Sequence, residues 1–282
     1  MTRFTRRGFL GSAAAAAGVA LAPAASAAKG TAATAAKGTL RLGVASYSMR
    51  KFSLDQTLAM AKTLGVTSMT FKDVHIPRTD SPEVTRALRA KIEAAGITIA
   101  GGGTITLPND PVEIRKNFEY AKTAGFPLIF TSPDPAALDT VEKMAKEYDI
   151  KTVIHNHGPE DKWWPRPQDA YAAVKSRDSR LGLCIDIGHT TRTGTDPVAA
   201  VRQCKDRLYD MHVKDLSVKT ERDSQVAVGR GLLDFPGLFR ALLEINYTGQ
   251  VGLEYEIHED DPLPGMIESL AYERGVLAGI TS

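Results

Sequence analysis

The chain has 282 residues, 43% hydrophobic and 24% charged, with 35 Lys and Arg against 33 Asp and Glu for a formal net charge of +2. That near balance excludes the basic footprint of a nucleic-acid-binding domain and any acidic tail. Two cysteines, Cys184 and Cys204, leave no room for a disulfide framework.

The N-terminus opens with a twin-arginine pattern, Thr5-Arg6-Arg7-Gly8-Phe9-Leu10, then an alanine-rich apolar run from Gly11 to Ala25. Ala25-Ser26-Ala27 follows as a small-x-small cleavage site. Residues 1–27 therefore read as a twin-arginine signal peptide, which sends the protein through that export machinery to the periplasm or beyond. The run is too short and too rich in alanine for a stable membrane anchor. Residues 28–38 (AKGTAATAAKG) read as a flexible linker. About 245 residues remain, enough for one large α/β domain or two small ones.

From there short apolar, β-branched runs recur, at 40–46, 67–72, 97–101, 127–131, 151–155, 181–186, 208–213 and 250–255. Helical segments separate them with clear punctuation. Ser81-Pro82, Asp110-Pro111, Asp134-Pro135 and Asp196-Pro197 each set a capping oxygen before a proline whose φ suits a first helical turn. Gly65, Gly96 and Gly125 follow helical runs, where a left-handed residue ends a helix without steric cost. Cys184 falls in a strand and Cys204 in the helix after it, so both are expected as buried thiols.

Eight βα units predict a single (β/α)8 TIM barrel, an α/β fold, over residues 39–282. A doubly wound sheet would carry a glycine-rich phosphate loop after its first strand, and Ala45-Ser46-Tyr47-Ser48 has none. Gly101-Gly102-Gly103 after the third strand reads as a tight turn and lacks the G-x-G-x-x-G spacing. The active site of such a barrel lies at the C-terminal ends of the strands.

Residues two apart on a strand share a face. His155 and His157 do so at the end of the fifth run (VIHNHG); Asp186 ends the sixth, with His189 just beyond (CIDIGH). His212 and Lys214 pair in the seventh (MHVKD), and Glu254 and Glu256 in the eighth (LEYE). A lone strand-end histidine is usually a hydrogen-bonded packing residue. Four adjacent strands delivering His155, Asp186, His212 and Glu254 to one mouth is different, because buried charges need a partner. A divalent metal ion is the simplest one, and two imidazoles with two carboxylates suit Mn²⁺, Zn²⁺, Co²⁺ or Fe²⁺ better than Ca²⁺ or Mg²⁺.

The stretches CIDIGHTTRTGTDP, RLYDMHVKD and VGLEYE resemble the sugar phosphate isomerase/epimerase superfamily, the xylose isomerase-like TIM barrels that also include endonuclease IV. The resemblance spans about residues 40–275. It implies that Asp186, His212 and Glu254 are metal ligands and that the fourth ligand, usually a glutamate, is here His155; HNHG resembles an exported subgroup with that replacement. In typical epimerases of the family two glutamates flank a metal-bound ketose. With one of them gone, the ligands carry a charge of roughly −2 instead of −3 and a neutral site with M²⁺, which suits a developing enediolate. The two-base mechanism loses its symmetric pair, while enolisation with one base stays open.

The expected activity is thus proton abstraction beside the carbonyl of an unphosphorylated sugar or keto-sugar, ending in isomerisation or epimerisation. The alternative is loss or addition of a β-oxygen, a lyase or hydratase acting on keto-glycosides. Glu254 or the strand-two residue Lys72 is the expected base, with His157, His189 or Lys214 on the opposite side. His75 (FKDVHIP), Arg192 (GHTTRTG), Trp163, Trp164 and Glu256 are candidate substrate contacts. The plainer readings are a solvated loop for Lys72 and His75, pairing with Asp196 for Arg192, and a loop anchor for the tryptophans. A DNA-repair nuclease on the same barrel would need a basic groove, which the charge disfavours. A non-catalytic exported metal- or sugar-binding protein would have no use for Lys214 or His189. Barrels of this type are commonly dimers or tetramers, so a homo-oligomer is compatible, though no stretch marks an interface.

Overall fold

The computed structural model describes residues 39–282. The signal peptide and linker expected over 1–38 lie outside the described residues. Eight parallel strands close into a barrel in the order β1-β10-β7-β6-β5-β4-β3-β2. They are β1 (Arg41–Ala45), β2 (Ser68–Phe71), β3 (Thr98–Leu107), β4 (Leu128–Pro133), β5 (Lys151–His155), β6 (Leu181–Asp186), β7 (Leu208–Val213) and β10 (Gln250–Leu253). A short antiparallel pair, β8 (Asp215–Leu216) and β9 (Gln225–Val226), stands outside the barrel after β7.

Helices α1 (Leu54–Leu64), α2 (Pro82–Ala94), α3 (Pro111–Ala124), α4 (Leu138–Tyr148) and α5 (Pro167–Val174) follow β1 to β5 in turn. After β6 come α6 (Ile187–Arg192) and α7 (Pro197–Gln203); α8 (Phe235–Glu244) follows β9 and α9 (Leu263–Thr281) closes the chain. The expected punctuation operates. Ser81, Asp110 and Asp196 accept hydrogen bonds from the first-turn amides of α2, α3 and α7, and Gly65 and Gly125 end α1 and α3 in the left-handed region. Each such cap is worth about 1 kcal/mol. Asp134 caps a short 3-10 turn (Pro135–Ala137) that leads into α4.

The glycine run is a correction. Gly101, Gly102 and Gly103 lie inside β3, which runs six residues past its expected end at 101. A Cβ on Gly102 would collide with the Phe126 ring, and one on Gly101 would meet the Leu128 carbonyl oxygen at 2.7 Å. The run therefore serves close packing of β3 on β4, with no turn.

Two apolar layers result. The larger lies between the strands and the helices. The smaller, Leu128, Phe130, Val153 and Cys184, comes from inward positions of β4, β5 and β6 and fills the barrel beneath the strand ends. Cys184 and Cys204 are both buried free thiols. The polar strand ends thus rest on a largely apolar floor, with the buried Asp210 beside Cys184, where electrostatic interactions are stronger than in water.

One buried acid is set apart from that site. Glu273 of α9 is fully buried and neither carboxyl oxygen has a hydrogen-bond partner; burial pushes its pKa up to about 8. The folded state then holds this proton more tightly than the unfolded chain. Its share of stability is complete below the unfolded value near 4.5 and declines as pH rises toward 8. Glu273→Gln is expected to flatten the fall in melting temperature between those pH values, a stability gain of up to about 5 kcal/mol above pH 8. Calorimetric scans across that range check it; an unchanged slope would show that the carboxyl is not buried unpaired.

Candidate active site

The barrel brings His155, Asp186, His212 and Glu254 together. One nitrogen or oxygen from each lies within 4.8 Å of all the others, and all four residues are buried. Alternation along β5, β6 and β7 points His155, Asp186 and His212 inward, and Glu254 follows β10 directly. His155 Nε2 is 2.9 Å from His212 Nδ1, and His212 Nδ1 is 3.2 Å from Glu254 Oε2. Asp186 Oδ2 is 3.9 Å from His155 Nε2, and the buried His155 Nδ1 and His212 Nε2 have no hydrogen-bond partner. Phe130 stacks under His212 with ring centroids 5.2 Å apart.

The surroundings fix these side chains. Asn156 Nδ2 donates to the Asp186 carbonyl and to Thr190 Oγ1, while its Oδ1 accepts from the Asp186 amide, so it clamps the ends of β5 and β6. Asp186 Oδ1 accepts from the His189 amide and caps α6. Gln225 bridges to the tip of β10, donating to the Glu254 carbonyl and accepting from the Glu256 amide. Asp215 gathers the amides of Gly229, Gly231 and Leu233, which pins the loop after β9.

Lys214 stands in the middle. Its Nζ is 3.0 Å from Asp186 Oδ2 and 3.0 Å from Glu254 Oε2, and it also contacts Glu256 Oε2. Burial opposes its charge, but the three carboxylates outweigh that and raise its pKa well above the ordinary lysine value. Burial likewise opposes the charge on Glu254, yet His212 and Lys214 hold its carboxyl well below the usual range. Burial, reinforced by the neighbouring histidines, lowers His155 well below an ordinary imidazole.

Lys214 also lines a neighbouring cavity of about 590 Å³, a size usual for small-molecule sites. His157, Asp161, His189, Arg192, Lys214 and Glu256 are among its walls. His157 Nδ1 is 3.1 Å from Asp161 Oδ2. Asp161 is held at about 2: burial works against its charge, but His157 and the amides of Trp164 and Trp163 prevail. A carboxylate only accepts, so His157 Nδ1 carries the proton and its other nitrogen is left with a lone pair in the neutral ring. His189 is the reverse. Arg192 Nη1 donates to its Nδ1 at 3.2 Å, which puts the proton of the neutral ring on Nε2, and burial lowers its pKa to about 4.

Several expected contacts are corrected. His75 is 2% exposed and bonds Thr57 Oγ1 and Ser46 Oγ, each at 2.9 Å; burial lowers its pKa, and it is an internal tie between loops. Trp164 is buried with its indole N–H donated to the Pro133 carbonyl, so it anchors its loop. Trp163 is exposed under Lys162 and does not line the cavity. Lys72 also lies outside the cavity wall, aimed at the Thr104 carbonyl at 3.5 Å and over the Tyr47 ring. Arg192 pairs with Glu160, not with Asp196, which caps α7 instead. Sequence reasoning missed Asp161, Asn156, Gln225 and Asp215; only the aspartate three residues before Trp164 gave a signal, as an Asx turn opening a loop.

Comparisons with known proteins agree with this architecture. Residues 136–274 match the family model for the xylose isomerase-like TIM barrel. Inosose dehydratase of Clostridium tetani is 27% identical over 134 residues, covering 42% of this chain and 45% of that protein, so the chain matches less than half of its relative's length. L-ribulose 3-epimerase superposes with a TM-score of 0.70 at 16% identity, over 86% of this chain and 95% of the other. The 3-keto-D-glucoside 4-epimerase YcjR of E. coli gives a TM-score of 0.69 at 18% identity, over 84% and 100%. At those identities the two structures establish the fold.

Proposed function

We propose that this xylose isomerase-like barrel is a divalent-metal-dependent enzyme that removes a proton beside the carbonyl of an unphosphorylated sugar or keto-sugar. The observation that carries the reading is the convergence of one atom each from His155, Asp186, His212 and Glu254 within 4.8 Å, joined through Lys214 to a cavity walled by titratable groups. The donor set fits a borderline divalent ion such as Mn²⁺, Zn²⁺, Co²⁺ or Fe²⁺, and the buried ring nitrogens His155 Nδ1 and His212 Nε2 are left without a hydrogen-bond partner. When bound, such an ion supplies Lewis-acid polarisation of a carbonyl oxygen.

The chain's own residues would do the rest. Glu254 is a poor base while His212 and Lys214 hold it ionised. His157 is the better one: its free nitrogen is a proton acceptor, and Asp161 stabilises the imidazolium that forms. His189 offers an Nε2–H and Lys214 an ammonium to oxygens that gain negative charge. The cavity wall is balanced, with Arg50, Arg192, Lys214 and Arg222 against Glu160, Asp161, Asp223 and Glu256. A balanced wall favours a neutral polyhydroxylated substrate over a phosphorylated one. Export of the protein by residues 1–27, which we retain as part of the proposal, agrees with that choice.

A second outcome shares the first step. Where the β-carbon bears a leaving oxygen, the same abstraction ends in elimination, and the similarity to a protein named inosose dehydratase favours testing it. Incubating Mn²⁺-loaded protein with unphosphorylated ketoses and 3-keto-glycosides in D₂O, followed by NMR, tests both. Deuterium at the α-carbon or an unsaturated product is expected. Tight sugar binding with neither would leave only a binding protein.

A further inference from the structure

Lys214 is more than a cavity wall. Its side chain is 4% exposed, and its Nζ grips Asp186 Oδ2 and Glu254 Oε2, the carboxylate oxygens that face His155 and His212. The backbone is built around its stem: a Cβ at position 188 would meet Lys214 Cγ at 2.5 Å, so Gly188 is what lets the lysine cross the start of α6. Glu256 touches the same ammonium from the cavity side, with its own side chain one-third exposed and its amide held by Gln225.

From this arrangement we infer that Lys214 is the resident counter-cation of the cluster, gripping the oxygens a divalent ion would use and giving them up toward Glu256 when such an ion enters. The inference rests on the metal-dependent reading above. Two buried carboxylates with no positive partner would repel each other and resist burial. The lysine relieves this without metal, so the ligands keep their places and the empty cluster stays folded. The same ammonium repels an arriving divalent charge, and its movement to Glu256 keeps the loaded site near neutrality.

Titration calorimetry with Mn²⁺ on the full chain, stripped by chelator and held at one pH, tests this. Lys214→Met keeps the stem and removes the charge. It is expected to bind Mn²⁺ roughly tenfold more tightly or better, while its stripped form melts earlier than the unaltered chain. Glu256→Gln is expected to weaken Mn²⁺ binding when Lys214 is present and to change it little in the Lys214→Met background. Equal or weaker binding by Lys214→Met, or the same Glu256→Gln effect in both backgrounds, overturns the inference. Crystals of the unaltered chain, stripped and Mn²⁺-soaked, read the exchange without any substitution: Nζ should leave Asp186 and Glu254 for Glu256, and an unmoved Nζ overturns it. If the unaltered chain binds no Mn²⁺, the metal-dependent reading falls as well; if it binds and Lys214→Met is no tighter, only the role of the lysine falls.

Discussion

Asp186→Asn is expected to cost the protein its metal and its turnover while leaving the barrel folded. The amide oxygen can still cap the His189 amide, so α6 keeps its start, but the charge facing His155 and Lys214 is gone. Loss of a supporting partner outside the ligands typically lowers metal affinity by about 10–100-fold. Loss of a ligand should exceed that range, with turnover down roughly 10³-fold or more. Stability should fall by only about 1–3 kcal/mol, because Lys214 retains Glu254 and Glu256. Metal content after dialysis and a circular-dichroism melt separate the two effects. Stoichiometric metal in the variant would remove Asp186 from the ligand set.

His157→Gln is expected to do the opposite. The side chain is 34% exposed and bonds Asp161 at the cavity wall, so neither packing nor the metal should depend on it. Removing a positioned proton acceptor slows such steps by about 10²–10⁴-fold. Full metal content with kcat reduced in that range, measured on whichever keto-sugar proves active, is the expected result. Loss of metal would make His157 a ligand; unchanged kcat would return the base to another residue.

These two residues also mark how far the amino-acid sequence carries. The barrel is legible because apolar β-branched runs alternate with capped helices, and the bounds expected for β5, β6 and β7 match those observed. The four-residue cluster is legible for a related reason: a period of two and parallel strands in register leave few places for strand-end side chains to go. Legibility ends where loops decide. Asp161 finds His157 only because the segment after β5 folds back, with the His157 amide donated to the Trp164 carbonyl. Gln225 reaches β10 only because β8 and β9 form a hairpin, and no periodicity announces two-residue strands. His75 and Trp164 look available beside a strand end, yet tertiary packing buries both. Lys214 is the subtlest case. Spacing places it on the face of His212, but the length of its side chain lets it reach three carboxylates on two other elements.

The balance of charge gives the site its internal logic. A largely apolar floor beneath and a neighbouring polar cavity hold two imidazoles, two carboxylates and one ammonium in a volume where unpaired charge is costly. On the proposed reading a metal ion, the lysine and Glu256 would be three adjustable members of that balance, and His157 and His189 on the cavity wall would carry the proton transfer.

The most direct test is anomalous diffraction at the manganese edge on crystals grown with Mn²⁺. One peak is expected within about 2.5 Å of a nitrogen of His155, a nitrogen of His212 and an oxygen each of Asp186 and Glu254. No peak there, or a peak elsewhere with Lys214 still spanning Asp186 and Glu254, would contradict the shared-cation account.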